Sequence, residues 1–92
     1  MDKFILKLSL TATRDLDRLE DEVVRMVLNA LPVLNENPFP RGKLVKKIKG
    51  KRSTFYRLRV DKYRVFYSIE GSNVVILKVI GKKDADKFIK NL

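Results

Sequence analysis

The sequence predicts an α+β domain in which a mainly antiparallel sheet packs on a helical hairpin, in the order β-α-α-β-β-β with a short C-terminal helix. Two observations predict this class. Alternating apolar residues, which are typical of strands, flank a stretch with helical spacing. Short turns then join the later strands as hairpins, which favours antiparallel pairing. At 92 residues the chain has the length of one domain, and we expect a single domain over residues 1–92.

The N-terminal part predicts one strand and two helices. In FILKLSL, alternation places Phe4, Leu6 and Leu8 on the buried face of a strand. Thr11 can cap the helix that follows. Pro32 should kink the second helix or end it early. The apolar residues at helical spacing are Ala12, Leu16 and Leu19 in the first helix, and Val24, Val27, Leu28, Leu31 and Leu34 in the second.

The remainder of the chain predicts three strands and a helix. The segment NPFPRG, residues 37–42, breaks the helical pattern. Leu44, Val45 and Ile48 lie in a short basic segment that ends at Gly50. Strands are predicted over residues 54–60, 63–69 and 74–80, with a turn at 71–73. Gly81 ends the last strand, and residues 82–92 predict a short helix.

Composition excludes several kinds of site. The chain contains neither cysteine nor histidine, which removes disulfides, thiolate metal sites and the commonest general base. We therefore expect no metal and no cofactor. The N-terminus does not resemble a signal peptide, and no apolar run has the length of a membrane span. These features predict a cytoplasmic protein without a membrane partner.

Positive charge is concentrated in the middle of the chain. The net charge is +10, which predicts an acidic partner. Residues 41–67 contain eleven basic residues and one acidic residue, whereas residues 1–40 contain five basic and seven acidic residues. A generally lysine-rich surface, as in heat-adapted proteins, is an alternative explanation of the charge, but it does not explain this segregation.

The predicted hairpin around Asp61 and Lys62 brings arginines together. Both strands must turn their apolar faces to one core, so a two-residue turn places Arg59 opposite Arg64. Arg57 then lies opposite Phe66. Like charges in direct opposition destabilise a sheet by about 0.2–1 kcal/mol, and a bound phosphate would supply the missing counter-charge.

Anion binding by this face has competing interpretations. Basic residues on an exposed strand most often only form a face that contacts solvent. The predicted register, which places arginines opposite each other, is the observation that favours a phosphate site instead. Membrane binding is disfavoured because neither helix has a basic polar face. Lys82 and Lys83 follow the neighbouring strand and are expected to reach the same patch, and Phe66 offers a ring on which a base can stack.

The segment YRLRVDKYRVFYSI, residues 56–69, resembles the core motif of RelE-type toxins of the RelE/ParE superfamily. The preceding LVKKIKG and the later IGKK are similar to the segments that flank this motif in the family. The resemblance covers essentially the whole chain. It implies the toxin of a type II toxin–antitoxin system, an mRNA interferase that enters the ribosomal A site and cuts mRNA by attack of a ribose 2′-OH on the phosphate. The implied partners are the ribosome, its mRNA and a RelB-like antitoxin bound in a hetero-oligomer.

The resemblance also implies roles for individual residues. Arg57, Arg59 and Arg64 would position and stabilise the phosphate charge, and Lys83 would donate the proton to the leaving oxygen. Further RNA contacts are expected from Lys46, Lys47, Lys49, Lys51, Arg52, Phe66 and Lys82.

The sequence departs from the family in one catalytic position. Active relatives usually carry a C-terminal tyrosine, whereas the nearest candidate here is Phe88, which we expect to hold the last helix on the sheet. The three tyrosines Tyr56, Tyr63 and Tyr67 fall on the predicted core face, so the sequence identifies no general base. A ParE-like inhibitor of DNA gyrase and an RNA-binding module without catalysis remain alternatives.

Overall fold

In the computed structural model, which describes residues 3–92, a five-stranded sheet carries helices on both faces. The strands are β1 (Ile5–Leu8), β2 (Val45–Lys49), β3 (Thr54–Val60), β4 (Tyr63–Glu70) and β5 (Asn73–Gly81). The helices are α1 (Leu10–Asp17), α2 (Asp21–Ala30), α3 (Val33–Glu36) and α4 (Lys82–Lys90). The strand order is β1-β5-β4-β3-β2, and only β1 and β5 among the described strands run parallel. The predicted α+β class is therefore confirmed.

The helix boundaries partly follow the sequence signals. The cap of α1 is Ser9, whose hydroxyl accepts a hydrogen bond from the Ala12 N–H at 3.0 Å. The prediction that Thr11 caps this helix was wrong, because the chain leaves β1 at Leu8 and the helix begins at once. The prediction for Pro32 is confirmed, since α2 ends at Ala30 and a separate turn, α3, begins after the proline.

The main core lies between the sheet and the first three helices. Val27 and Leu34 from the helices and Val65 and Ile76 from the sheet are fully buried. Two predicted core positions were wrong. Leu8 is 46% exposed because it lies at the end of a short edge strand, and Leu28 is 45% exposed because it lies beside the stripe that contacts the sheet.

A second apolar contact lies on the opposite face of the sheet. Phe66 points away from Val65 and Tyr67, which belong to the core, and its ring meets Phe88 of α4 at 4.8 Å between centroids. The expectation that Phe88 holds the last helix on the sheet is confirmed. This contact places α4 beside the basic residues of β3 and β4.

The tight turns position the functional hairpin. Asp61 and Lys62 join β3 to β4 as a two-residue turn, as predicted. Asp61 adopts a positive φ of 50°, a conformation that aspartate tolerates better than most residues. Within residues 3–92 no helix is long and apolar enough to cross a membrane.

Candidate nucleic-acid interface

The β3–β4 hairpin has the register that the sequence predicts. Arg59 pairs with Arg64, and Arg57 pairs with Phe66. Because side chains alternate across a strand, the three arginines project from the same face, the one that α4 partly covers. We call Arg57, Arg59 and Arg64 the arginine cluster.

Arg64 is the most firmly held member of the arginine cluster. It is 6% exposed, and its Nη1 donates hydrogen bonds of 2.8 Å to the carbonyl oxygens of Asp61 and Tyr63. Burial and the charge of Arg59 lower its pKa from the ordinary arginine value, and Asp61 opposes them. Arg64 therefore fixes the turn as well as contributing charge.

Arg57 is held by a single hydrogen bond. Its Nη2 donates to the Lys43 carbonyl oxygen at 2.8 Å, while its buried Nε has no hydrogen-bond partner among residues 3–92. Burial, then the charges of Arg64 and Arg59, lower the pKa of Arg57 from the ordinary arginine value. An unpaired donor beside two other cations favours the approach of an anion.

Arg59 differs from both neighbours because its side chain is exposed and forms no hydrogen bond to the described residues. The one ion pair found within residues 3–92 joins Lys78 to Asp15, away from this hairpin. The arginine cluster thus has no carboxylate partner in the described part of the chain. An arginine without a partner carboxylate is free to bind phosphate oxygens in a bidentate manner.

A cleft of about 710 Å³ opens beside the arginine cluster. Its walls come from β3, the β3–β4 turn, the end of β5 and one face of α4. The lining residues are Arg57, Lys62, Tyr63, Arg64, Gly81, Lys82, Lys83, Ala85, Asp86 and Ile89. We call this feature the basic cleft, because five of these ten residues are Lys or Arg.

Two contacts hold the walls of the basic cleft in place. The N–H of Lys82, the first residue of α4, donates to the carbonyl oxygen of Lys62 in the turn at 2.7 Å. The Phe66–Phe88 contact fixes the far end of the same helix. The N-terminal turn of α4 is therefore tied directly to the hairpin that carries the arginines.

Comparisons with known proteins identify the chain. A family model described as the ParE toxin of the type II toxin–antitoxin system parDE matches residues 6–86. The chain belongs to this toxin family. No curated protein sequence matches it.

Solved structures of RelE toxins are similar to this toxin over most of its length. One is from the archaeal RelE–RelB complex of Pyrococcus horikoshii, with 28% identity, a TM-score of 0.71, and coverage of 87% of this chain and 96% of that chain. Another is from the RelBE2 toxin–antitoxin complex of Mycobacterium tuberculosis, with 26% identity, a TM-score of 0.74, and coverage of 86% and 98%. The predicted membership of the RelE/ParE superfamily is confirmed.

The structure contradicts one predicted contact of the toxin with RNA. Phe66 was expected to offer a ring to a base, but its exposed fraction is 0% because Phe88 of α4 covers it. That prediction was wrong for this conformation. The sequence pattern could not reveal it, because the docking of α4 depends on contacts between distant segments.

The predicted lysines of β2 are divided between the two faces of the sheet. Lys46 pairs with Arg57 and lies on the face of the arginine cluster. Lys47 and Lys49 pair with Tyr56 and Thr54, so they project from the face opposite the arginine cluster. All three lie on an edge strand, where exposed lysines also prevent pairing with another chain.

The remaining predicted residues also fall into separate groups. Lys82 and Lys83 line the basic cleft, near the arginines as expected. Lys51 and Arg52 instead line a second pocket of about 400 Å³ that shares no residue with it. Their participation in a single site with the arginine cluster is therefore not supported by the geometry.

Six lining residues of the basic cleft were not predicted from the sequence, and three of them have polar side chains: Lys62, Tyr63 and Asp86. Lys62 belongs to the turn that was predicted and Tyr63 begins β4, yet attention to the strand faces left both out. Asp86 lies four residues after Lys82, so helical spacing would have placed the two on one face of α4. Only the packing of α4 on the sheet shows that this face meets the arginines.

Proposed function

We propose that this toxin cleaves mRNA in the ribosomal A site, in the cytoplasm, through attack of a ribose 2′-OH on the adjacent phosphate. The observation that carries the proposal is that the arginine cluster beside the basic cleft has no carboxylate partner within residues 3–92. The pentacoordinate transition state carries more negative charge on its oxygens than the phosphodiester does. Fixed guanidinium groups stabilise that added charge without reorganising during the reaction.

The chemical roles follow from what each side chain can do. Arg57 and Arg64 are held by carbonyl oxygens and remain cationic, so they position the phosphate and stabilise charge. Exposed Arg59 lies opposite Arg64 on the same sheet face and contacts the RNA backbone there. Lys83 lines the basic cleft and supplies a proton to the leaving 5′ oxygen, which ends as a free hydroxyl.

Translating ribosomes test the proposal directly. Purified toxin should yield an upstream fragment with a 2′,3′-cyclic phosphate and a downstream fragment with a 5′-OH. A 2′-deoxy nucleotide at the cleaved position should abolish the reaction. Intact mRNA after treatment with folded wild-type toxin would overturn the proposal.

The choice of variant matters because Arg64 has a structural role. Arg64→Ala would also release the carbonyl groups of the turn, so lost activity would be ambiguous. Arg59→Ala removes an exposed side chain without a hydrogen bond, and we expect a fall in cleavage rate of roughly 10-fold to 100-fold. Lys47→Ala, which removes a charge from the opposite face, is the matched control and should cleave at the wild-type rate.

A second candidate function is inhibition of DNA gyrase, which the ParE family match favours. This function requires no nuclease chemistry, so it would tolerate a cleft without histidine. A supercoiling assay separates the candidates. Inhibited supercoiling together with uncut mRNA would assign the toxin to gyrase, and normal supercoiling with cut mRNA would exclude gyrase.

We also propose that a RelB-like antitoxin neutralises this toxin, since similar structures come from toxin–antitoxin complexes. The positive charge of the cluster and of α4 favours an acidic segment over the basic cleft. Co-purification with the antitoxin should protect residues 57–64 from hydrogen exchange. Unchanged exchange there would contradict charge neutralisation as the route of inhibition.

A further inference from the structure

The basic cleft contains one carboxylate among its ten lining residues, that of Asp86. Cleavage by a 2′-OH requires a group that accepts its proton, and the chain has no histidine. Arginine and lysine are protonated in their reference states at pH 7, and a neutral phenol holds its own proton. Carboxylate is the one lining side-chain type that is deprotonated in its reference state at pH 7 and can therefore accept a proton.

The placement of Asp86 within α4 gives it access to the basic cleft. Lys82, Asp86 and Ile89 follow each other at spacings of four and three residues, so they share the helix face that lines the cleft. The Lys82–Lys62 backbone hydrogen bond and the Phe66–Phe88 contact hold this face against the hairpin.

The fold provides no structural role for this carboxylate. Asp86 is exposed, and within residues 3–92 it takes part in no ion pair or side-chain hydrogen bond. It also lies beyond the first turn of α4, where Asp84 already complements the helix dipole. Its oxygens are therefore available to a substrate.

We propose that Asp86 is the general base of the cleavage reaction, an inference that rests on the proposed function. The Asp86 carboxylate takes the proton of the 2′-OH as the 2′ oxygen forms a bond to phosphorus. The bond from phosphorus to the 5′ oxygen breaks, and that oxygen takes a proton from the Lys83 ammonium. The products are a cyclic phosphate and a 5′-OH, and solvent returns the proton from Asp86 to Lys83.

Single-turnover cleavage on ribosomes, measured as a function of pH, tests this assignment. Asp86→Asn keeps the size of the side chain but cannot accept the proton, so we expect a rate roughly 10²-fold to 10⁴-fold lower. The pH dependence of the rate should differ between wild type and the variant, because the variant lacks the group that accepts the proton. Asp86→Glu should recover part of the rate.

Asp84→Asn, on the same helix but outside the cleft lining, is the matched control and should retain the wild-type rate and pH profile. Ribosome affinity and thermal unfolding of Asp86→Asn should match wild type, which separates lost chemistry from lost binding or folding. If wild type cleaves and Asp86→Asn cleaves equally fast, the assignment of Asp86 is wrong. If wild type produces no cyclic phosphate, the proposed function itself fails.

Discussion

Asp15 shows how one side chain can complete a strand edge. The pairing of β1 with β5 ends at Leu8 and Ile76, so the next part of β5 pairs with β4 on one edge but has no strand on the edge that faces β1. Asp15 of α1 fills this place, because its Oδ2 accepts a hydrogen bond from the Val79 N–H at 2.9 Å. Its Oδ1 lies 3.0 Å from Lys78 Nζ. A buried carboxylate thus joins the first helix to the strand that leads into the basic cleft.

We expect Asp15→Ala to lower the free energy of unfolding by about 1–3 kcal/mol, because the buried Val79 N–H loses its partner. Urea titration measures the change. Asp17→Ala, at an exposed position of the same helix, should change the free energy by less than about 0.5 kcal/mol. Equal effects of the two substitutions would contradict the role of Asp15.

Tyr67 anchors the loop that follows the helices. Its hydroxyl donates to the Pro38 carbonyl oxygen at 2.7 Å, and its ring stacks on that of Tyr56. Burial raises the pKa of Tyr67 above the ordinary tyrosine value, while Arg41 has a smaller opposing effect. The folded state therefore holds the phenol proton more tightly than the unfolded state does.

This pKa difference predicts how stability depends on pH. The contribution of Tyr67 is complete below the unfolded pKa of about 10, and it is lost as pH rises through the higher folded pKa. At neutral pH, Tyr67→Phe should lower the free energy of unfolding by about 0.5–1.5 kcal/mol. Above about pH 10 this deficit should shrink, because the variant has no phenol at this position to titrate. If the free energies of unfolding of wild type and Tyr67→Phe changed in parallel above about pH 10, the prediction would be contradicted.

At the scale of elements, α4 both covers and completes the site. Its ring contact with Phe66 removes an aromatic surface from solvent, while its N-terminal turn brings Lys82 and Lys83 to the arginine cluster. The helix has few other attachments, because Ala85 is its one buried residue. The stability of this attachment therefore determines the shape of the basic cleft.

Phe88→Ala should release α4 without unfolding the sheet. The aromatic pair contributes about 0.5–1.5 kcal/mol in addition to the free energy gained by burying its apolar surface. The substitution removes both contributions. Hydrogen exchange should show lost protection over residues 82–90, with protection over β3, β4 and β5 retained. Lys87→Ala, at the neighbouring exposed position, is the control, and unchanged protection of α4 in Phe88→Ala would show that other contacts hold the helix.

At the scale of the whole molecule, the location of the charge should matter more than its total. The net charge is +10, yet only part of it lies on the face of the arginine cluster. Contacts to phosphate release counterions, so the affinity for RNA falls as salt rises, in proportion to the number of phosphates contacted. Charges on the other face add to the total without adding such contacts.

Two triple variants with equal net charge test this difference. The site variant replaces Lys46, Arg59 and Lys82 with alanine, and the control variant replaces Arg14, Arg25 and Lys47. All six side chains are exposed, so both proteins should fold. For a single-stranded RNA, the site variant should reduce the slope of log affinity against log salt by about 2, whereas the control should leave it nearly unchanged. Equal slopes would mean that total charge controls binding.

The sequence alone determined the register of the functional hairpin. A strand has a period of two, and both strands of the hairpin must face one core, so a two-residue turn leaves Arg59 opposite Arg64. The same period of two places Lys46 and Lys47 on opposite faces of the sheet. Assigning both lysines to RNA binding from their charge alone did not take this alternation into account. Local patterns sufficed here because the residues involved are close in sequence.

Only the tertiary structure decided what surrounds that hairpin. The docking of α4 buries Phe66 and brings Asp86 into the basic cleft, whereas Lys51 and Arg52 line a different pocket. The bond from the Lys82 N–H to the Lys62 carbonyl joins segments twenty residues apart, and the Phe66–Phe88 contact is similar in span. Helical and strand periods specify which residues share a face, but they do not specify which faces meet, because that depends on packing between distant segments.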